Sequence, residues 1–130
     1  MTTNVYLENE AKRLKFKNFR GVKFKDELLK IKPLDQECGI LGSKNHTQDN
    51  MHWTAWFKNK DKKYYFDSFG LDPTIEIIKY LQSPILISTF QIQHYDENDC
   101  GQWCLYILDR LNKGEDFINV ILNNINKKTY

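Results

Sequence analysis

Several things are missing from this sequence. No run approaches the roughly eighteen apolar residues that a membrane-spanning helix needs, so an α-helical span is excluded. The opening Met1-Thr2-Thr3-Asn4 lacks the basic-then-apolar signature of a secretory signal. Cysteine is scarce and its count is odd, with Cys38, Cys100 and Cys104 making three. That argues against a disulfide framework and for a reducing compartment, where all three are free thiols. There is no internal repeat, no low-complexity tract and no linker. Together these absences exclude a disordered, collagenous or coiled-coil chain and an exported disulfide miniprotein.

What is present suits one domain, residues 1–130, with a hydrophobic core of its own. Apolar residues make up 41% and charged residues 28%, the balance of a soluble globular protein. Aromatics reach 14%, so rings must build much of the core or of a binding surface. A net charge of +2 conceals an asymmetry. Between Lys12 and Lys32 nine basic residues face only Asp26 and Glu27, whereas from Tyr64 to Asp99 six acidic residues face only Lys79. Such a basic front is either a solvated lysine surface or a patch for a polyanion.

Val5, Leu7, Ala11 and Leu14 fit one face of a ragged helix. Lys23 to Leu29 reads as a short helix stopped by Pro33. Cys38 to Leu41 reads as a short buried segment, and Gly42 to Asn50 as an exposed loop. Trp53–Phe57 and Tyr64–Phe66 are strand-like around the polar turn Asn59–Lys62, which predicts a hairpin. Thr74 is placed to cap a helix through Ile75, Ile77, Ile78 and Leu81, ended by Pro84. Ile85 to Ile92 suggests a buried strand. Asn98 or Asp99 is placed to cap a helix that begins near Cys100, carries Trp103, Leu105, Tyr106, Leu108 and Leu111, and stops at Asn112-Lys113-Gly114. A further helix from Glu115 carries Phe117, Ile118, Val120, Ile121 and Ile125.

The segment richest in chemistry runs from Gln93 to Cys104. Cys100 falls where a strand-to-helix loop meets a helix N-terminus. Unpaired N–H groups and the helix dipole there favour negative charge and lower a thiol's pKa. Gly101 leaves room for a bound carbonyl, and the Cys100 N–H becomes a candidate oxyanion donor. A thiolate nucleophile needs a base and a group that orients it. If the predicted hairpin pairs around residue 60, its outer ends bring His52 opposite roughly position 67 or 68. A His52–Asp67 contact follows naturally.

His52-Trp53, then Phe66-Asp67-Ser68-Phe69-Gly70, then Gln93 seven residues before Cys100-Gly101, resembles the adenain-like cysteine proteases. These are the adenovirus-type maturation proteases and their relatives in virophages and Polinton-type transposons. The wider clan includes the ubiquitin-like-protein-specific proteases. Phe19-Arg20-Gly21-Val22, Asp26-Glu27-Leu28 and Glu37-Cys38-Gly39-Ile40 look like the virophage and transposon versions, and the similarity covers about residues 16 to 111. It implies an α+β fold of papain-like, adenain-like architecture: a small central antiparallel sheet with the nucleophile-bearing helix packed on it. It implies Cys100 as nucleophile, His52 as base, Asp67 as the acid that orients it, and Gln93 as a side-chain donor to the oxyanion. Adenain uses glutamate as the acid; aspartate here matches the ubiquitin-like-protein proteases, whereas the seven-residue Gln–Cys gap matches adenain. Trp53 in such enzymes packs by the histidine and shields it from water. The implied substrates are capsid or virion precursor proteins, cut in the virion or a cytoplasmic viral factory without secretion or a membrane. DNA or a peptide is the activator such enzymes use.

Plainer readings stand beside these. Cys100 could be a buried structural thiol, and Cys38 and Cys104 fit the core. Cys100 and Cys104 with His46 and His52 offer four zinc ligands, but at no common zinc spacing; no metal or other cofactor is expected. His94 sits close to Gln93 and is hard to swing round to Cys100, and His46 is a loop residue. Asp67 could cap the turn that follows it. Asp96, Glu97 and Asp99 read as a solvated acidic loop. Lys15-Phe16-Lys17 and Lys23-Phe24-Lys25 interleave rings with charge, as nucleic-acid surfaces do. The rival functions are removal of ubiquitin-like modifiers, or a catalytically idle virion or nucleic-acid-binding protein on the same fold.

Overall fold

A computed structural model of the chain describes residues 3–43, 51–88 and 100–125. Among them a helix at Asn4–Arg13 (α1) is followed by strand β1 at Phe19–Phe24, a 3-10 turn at Leu28–Lys30 and strand β2 at Gln36–Gly42. Strands β3 at Trp53–Asn59 and β4 at Lys62–Phe66 form a hairpin. Helix α2 at Ile75–Leu81 leads to a short strand β5 at Leu86–Ile87, and helices α3 at Cys100–Asn112 and α4 at Phe117–Ile125 close the described chain.

The strands form one sheet in the order β1-β2-β3-β4-β5. Its centre is antiparallel, as expected: β2 pairs with β3 from Gln36↔Asn59 to Gly42↔Trp53, and β3 with β4 from Ala55↔Phe66 to Asn59↔Lys62. Both edges differ, because β1 joins β2 and β5 joins β4 in parallel. Each parallel pair needs a crossover, supplied by the 3-10 turn on one side and by α2 on the other.

Side chains alternate across the sheet, which gives it two cores. Cys38, Ile40, Trp53, Ala55 and Phe66 face α1, α3 and α4, where they meet Leu7, Cys104, Ile107, Leu108 and Phe117. Leu41, Trp56 and Tyr65 face the other way and meet Leu28, Ile77, Tyr80 and Leu81. Helix α3 buries Cys100, Gly101, Cys104, Leu105, Ile107, Leu108 and Leu111 against the first core. A fully buried Leu or Ile is worth about 2 kcal/mol, so this stripe holds the helix firmly on the sheet.

Trp56 packs flat on its cross-strand partner Gly39, where an added Cβ would lie 2.3 Å from the indole ring. Beneath the same ring Glu37 is buried, yet its carboxylate is saturated. It accepts from Trp56 Nε1 at 2.8 Å, Tyr80 Oη at 2.6 Å, Arg20 Nη1 at 3.2 Å and the Leu34 N–H.

Three expectations needed correction. Phe19–Phe24 is a strand, and the helix read over Lys23–Leu29 shrinks to the 3-10 turn at Leu28–Lys30. Gly21, at φ +99°, sits in a register shift that breaks the alternation by which a strand is recognised. In α2 the buried face is Ile77, Tyr80 and Leu81, while Ile75 and Ile78 are exposed. Thr74 stands at its N-cap without a side-chain capping bond. The strand read as buried over Ile85–Ile92 is a short edge strand at Leu86–Ile87 with Leu86 exposed, and residues 89–92 lie outside the described residues.

Candidate active site

The ends of β2 and β4 and the start of β3 meet at one edge of the sheet, and the N-terminus of α3 lies over them. His52 immediately precedes β3. Its backbone is tied to the end of β2 by two bonds: Ser43 N–H donates to the His52 carbonyl at 2.9 Å, and His52 N–H donates to Ser43 Oγ at 3.3 Å. Asp67 immediately follows β4 and is 3% exposed. Its N–H donates to Ser88 Oγ at 3.1 Å, just beyond β5. Each residue is therefore held by a serine on the neighbouring strand.

The two side chains meet. His52 Nε2 lies 2.7 Å from Asp67 Oδ1. A carboxylate can only accept, so Nε2 carries the hydrogen and Nδ1 is left for a second partner. The Cys100 thiol also interacts with the imidazole, and each favours the charged form of the other. The sulfur also accepts from the Trp53 N–H at 3.4 Å.

Charge follows from these contacts. Burial draws the His52 imidazole down, but its bonds to Asp67 and Cys100 outweigh that and hold it up at about 9. Burial likewise pushes the Cys100 thiol up, and the imidazole and the Trp53 N–H more than reverse it, leaving the thiol below its ordinary range. The arrangement favours a thiolate–imidazolium pair. The other two cysteines differ. Burial pushes Cys38 up to about 12 and Cys104 well above a normal thiol, and both are core residues.

His52, Asp67 and Cys100 are thus brought together. Gln93 lies outside the described residues, as do His46, His94, Asp96, Glu97, Asn98 and Asp99. Cys104 is one turn along α3 in the core, and among the described residues no group of three or more His, Cys, Asp or Glu side chains is disposed to hold a metal ion. Asp67 Oδ1 also accepts the Phe69 N–H at 2.8 Å and so caps the turn that follows. The rings of Phe16 and Phe24, which alternate with lysines in the basic front, pack toward the core.

Sequence reasoning missed two contacts. The ring stacked on His52 is Phe69, with centroids 4.3 Å apart and planes within 2°, while the Trp53 ring lies against Phe24. The hairpin register carries no signal for the stack, because the pairing ends at Ala55↔Phe66 and Phe69 lies in the turn that follows β4. The Trp53 N–H on sulfur had no sequence signal, because it depends on how α3 docks.

A five-stranded mixed sheet with a cysteine-bearing helix across it is an α+β fold of the papain-like type. It is the fold of the ASFV pS273R protease. One crystal structure of that protease matches with a TM-score of 0.65 at 14% identity, covering 95% of this chain and 61% of that one. A selenomethionine form matches with a TM-score of 0.69 at 13% identity, covering 98% and 64%. In sequence, the chain is 28% identical over 104 residues to R355 of Acanthamoeba polyphaga mimivirus, named as a candidate thiol protease. That match covers 66% of this chain and 33% of R355. The chain thus spans about a third of that relative and under two thirds of the pS273R chains. No protein-family model matches. Among the described residues no helix is long and apolar enough to cross a membrane.

Proposed function

We propose that this protein is a thiol-dependent peptidase, a viral cysteine protease of the clan that includes the ubiquitin-like-protein proteases, with Cys100, His52 and Asp67 as its triad. One observation carries the reading: Cys100, the first residue of a helix, interacts with the His52 imidazole, whose Nε2 lies 2.7 Å from the buried Asp67 carboxylate. The names of R355 and of the pS273R protease agree with it.

In this reading the Cys100 thiolate attacks the scissile carbonyl carbon, and the electron pair moves onto oxygen. The Cys100 N–H and the Gln93 amide hold that oxyanion; the part of Gln93 rests on the adenain resemblance. His52 gives its Nδ1 proton to the leaving amine. It then takes a proton from the water that cleaves the thioester, and the thiolate returns. Asp67 keeps the ring in the tautomer and plane this requires. The substrates are capsid or virion precursor proteins, cut in the virion or a viral factory, with DNA or a peptide as activator; these assignments too follow the adenain-like pattern.

The test is incubation with the structural proteins of the source virus, with cleavage sites read by mass spectrometry. Wild-type protein should cut at defined sites, and Cys100→Ala should cut none. Cleavage that survives Cys100→Ala would remove the assignment.

A further inference from the structure

Phe69 touches both halves of the acid–base pair. Its ring lies parallel on the His52 imidazole at 4.3 Å, and its N–H reaches Asp67 Oδ1 at 2.8 Å, the same oxygen that faces His52 Nε2 at 2.7 Å. The turn that allows this is tight. Gly70 N–H closes onto the Asp67 carbonyl at 2.9 Å, and Gly70 has φ +72°, a conformation natural to glycine. Ser68 between them is fully buried, so the turn is anchored at its centre.

We propose that Phe69 is a positioning residue for the thiolate–imidazolium pair: its ring sets the plane of His52 while its backbone sets the oxygen that plane must meet. The proposal rests on the triad reading above. Asp67 and Cys100 hold the imidazole through hydrogen bonds, and a flat partner packed on its face restrains the tilt of the ring that those bonds leave open. The π-face of a phenyl ring also attracts a cation, so the stack favours imidazolium over neutral imidazole. The titratable groups that act on the imidazole are Asp67, at Nε2, and Cys100, while Phe69 lies on a face of the ring.

Three variants test this. Phe69→Leu keeps apolar bulk without a flat face, Phe69→Met does the same with a more adaptable chain, and Phe69→Tyr keeps the ring. The readout is the rate at which iodoacetamide alkylates Cys100 between pH 4 and 10, which needs no knowledge of the substrate. Circular dichroism checks folding, and Phe69→Met carries the test if Phe69→Leu does not fold. The wild type should show a plateau of reactivity below the ordinary thiol range. Phe69→Leu and Phe69→Met should lower that plateau about three- to tenfold, the size of an aromatic stacking effect. Phe69→Tyr should stay within about twofold of wild type. A plateau in the wild type that both ring-less variants preserve would overturn the role of Phe69 and leave the triad standing. A wild-type Cys100 that titrates as an ordinary thiol would overturn the triad reading, and the proposal with it.

Discussion

The main-chain N–H of Trp53 donates to the Cys100 sulfur at 3.4 Å, so the residue after the histidine meets the thiol through its backbone while its ring packs in the core. A backbone donor survives any side-chain substitution except proline. Trp53 therefore contributes an electrostatic contact that is independent of its identity and a packing contact that depends on it. Together with the serine ties on His52 and Asp67, it fixes the site to the ends of the sheet strands.

Thiol chemistry should separate the three cysteines. With brief iodoacetamide treatment at pH 7, the native chain should carry one adduct, on Cys100. Cys38 and Cys104, buried and raised, should react only after denaturation. His52→Ala should slow the Cys100 reaction at neutral pH. Peptide mapping that finds native-state adducts on Cys38 or Cys104 would contradict the burial described here.

The His52–Asp67 pair should appear as a pH dependence of stability, best read in Cys100→Ala, where the thiolate no longer contributes. His52 is raised from 6.5 to about 9 in the folded chain. A basic group raised by folding stabilises fully below its unfolded pKa, and the contribution disappears as pH rises through the folded value. Urea midpoints of Cys100→Ala should therefore fall as pH increases from 6.5 toward 9, with the upper limit lowered by the missing sulfur. Asp67→Asn in the same background should flatten the slope. An equal slope with and without Asp67 would show that the carboxylate is not what holds the imidazole.

Glu37 should matter to stability well beyond a surface charge. Glu37→Ala leaves the Trp56 Nε1, the Tyr80 hydroxyl, Arg20 and the Leu34 N–H without their shared acceptor. Removing one partner of a buried, hydrogen-bonded ion pair costs about 3–5 kcal/mol. Chemical denaturation should show a loss of that size. A loss under about 1 kcal/mol, typical of exposed pairs, would mean that water replaces the carboxylate freely.

Gly39→Ala should be disruptive although the new group is a single methyl. Its carbon would sit 2.3 Å from the Trp56 ring, and the indole is fixed at Nε1 by Glu37, so it cannot swing aside cheaply. Overpacking of this kind costs about 1–3 kcal/mol, and the fixed indole puts this site at the upper end. Trp56→Phe in the same chain should recover part of the loss, a coupling visible in a double-mutant cycle. Additive losses would show that the methyl is accommodated elsewhere.

The parts legible in the sequence were those encoded locally. The β3–β4 hairpin, α3 and α4 follow from strand-like aromatics, the polar turn Asn59–Lys62 and helical apolar spacing. Gly114, at φ +88°, lies just past the end of α3, where a stop was read. The meeting of His52 with Asp67 was readable because one hairpin carries both. Strand β1 was not, since it is an edge strand with one buried residue and a glycine break. Its exposed side is completed by side chains from elsewhere: Glu8 accepts the Val22 N–H at 2.7 Å and Glu27 the Phe24 N–H at 3.0 Å. Parallel pairing at both edges also left no mark, because it depends on contacts remote in sequence. The same is true of Ser43 and Ser88, whose importance exists only once β2 lies beside β3 and β5 beside β4.

His52 and Asp67 lie 15 residues apart on one hairpin, whereas the Cys100 sulfur is 47 residues beyond the amide it touches. Short loops close more readily than long ones. As the polypeptide leaves the ribosome, imidazole and carboxylate can assemble while Cys100 is still inside the exit tunnel. Reactivity would then switch on late in biosynthesis, with the docking of one helix. Delaying that docking, rather than blocking a finished cleft, would be a way to keep such a molecule silent.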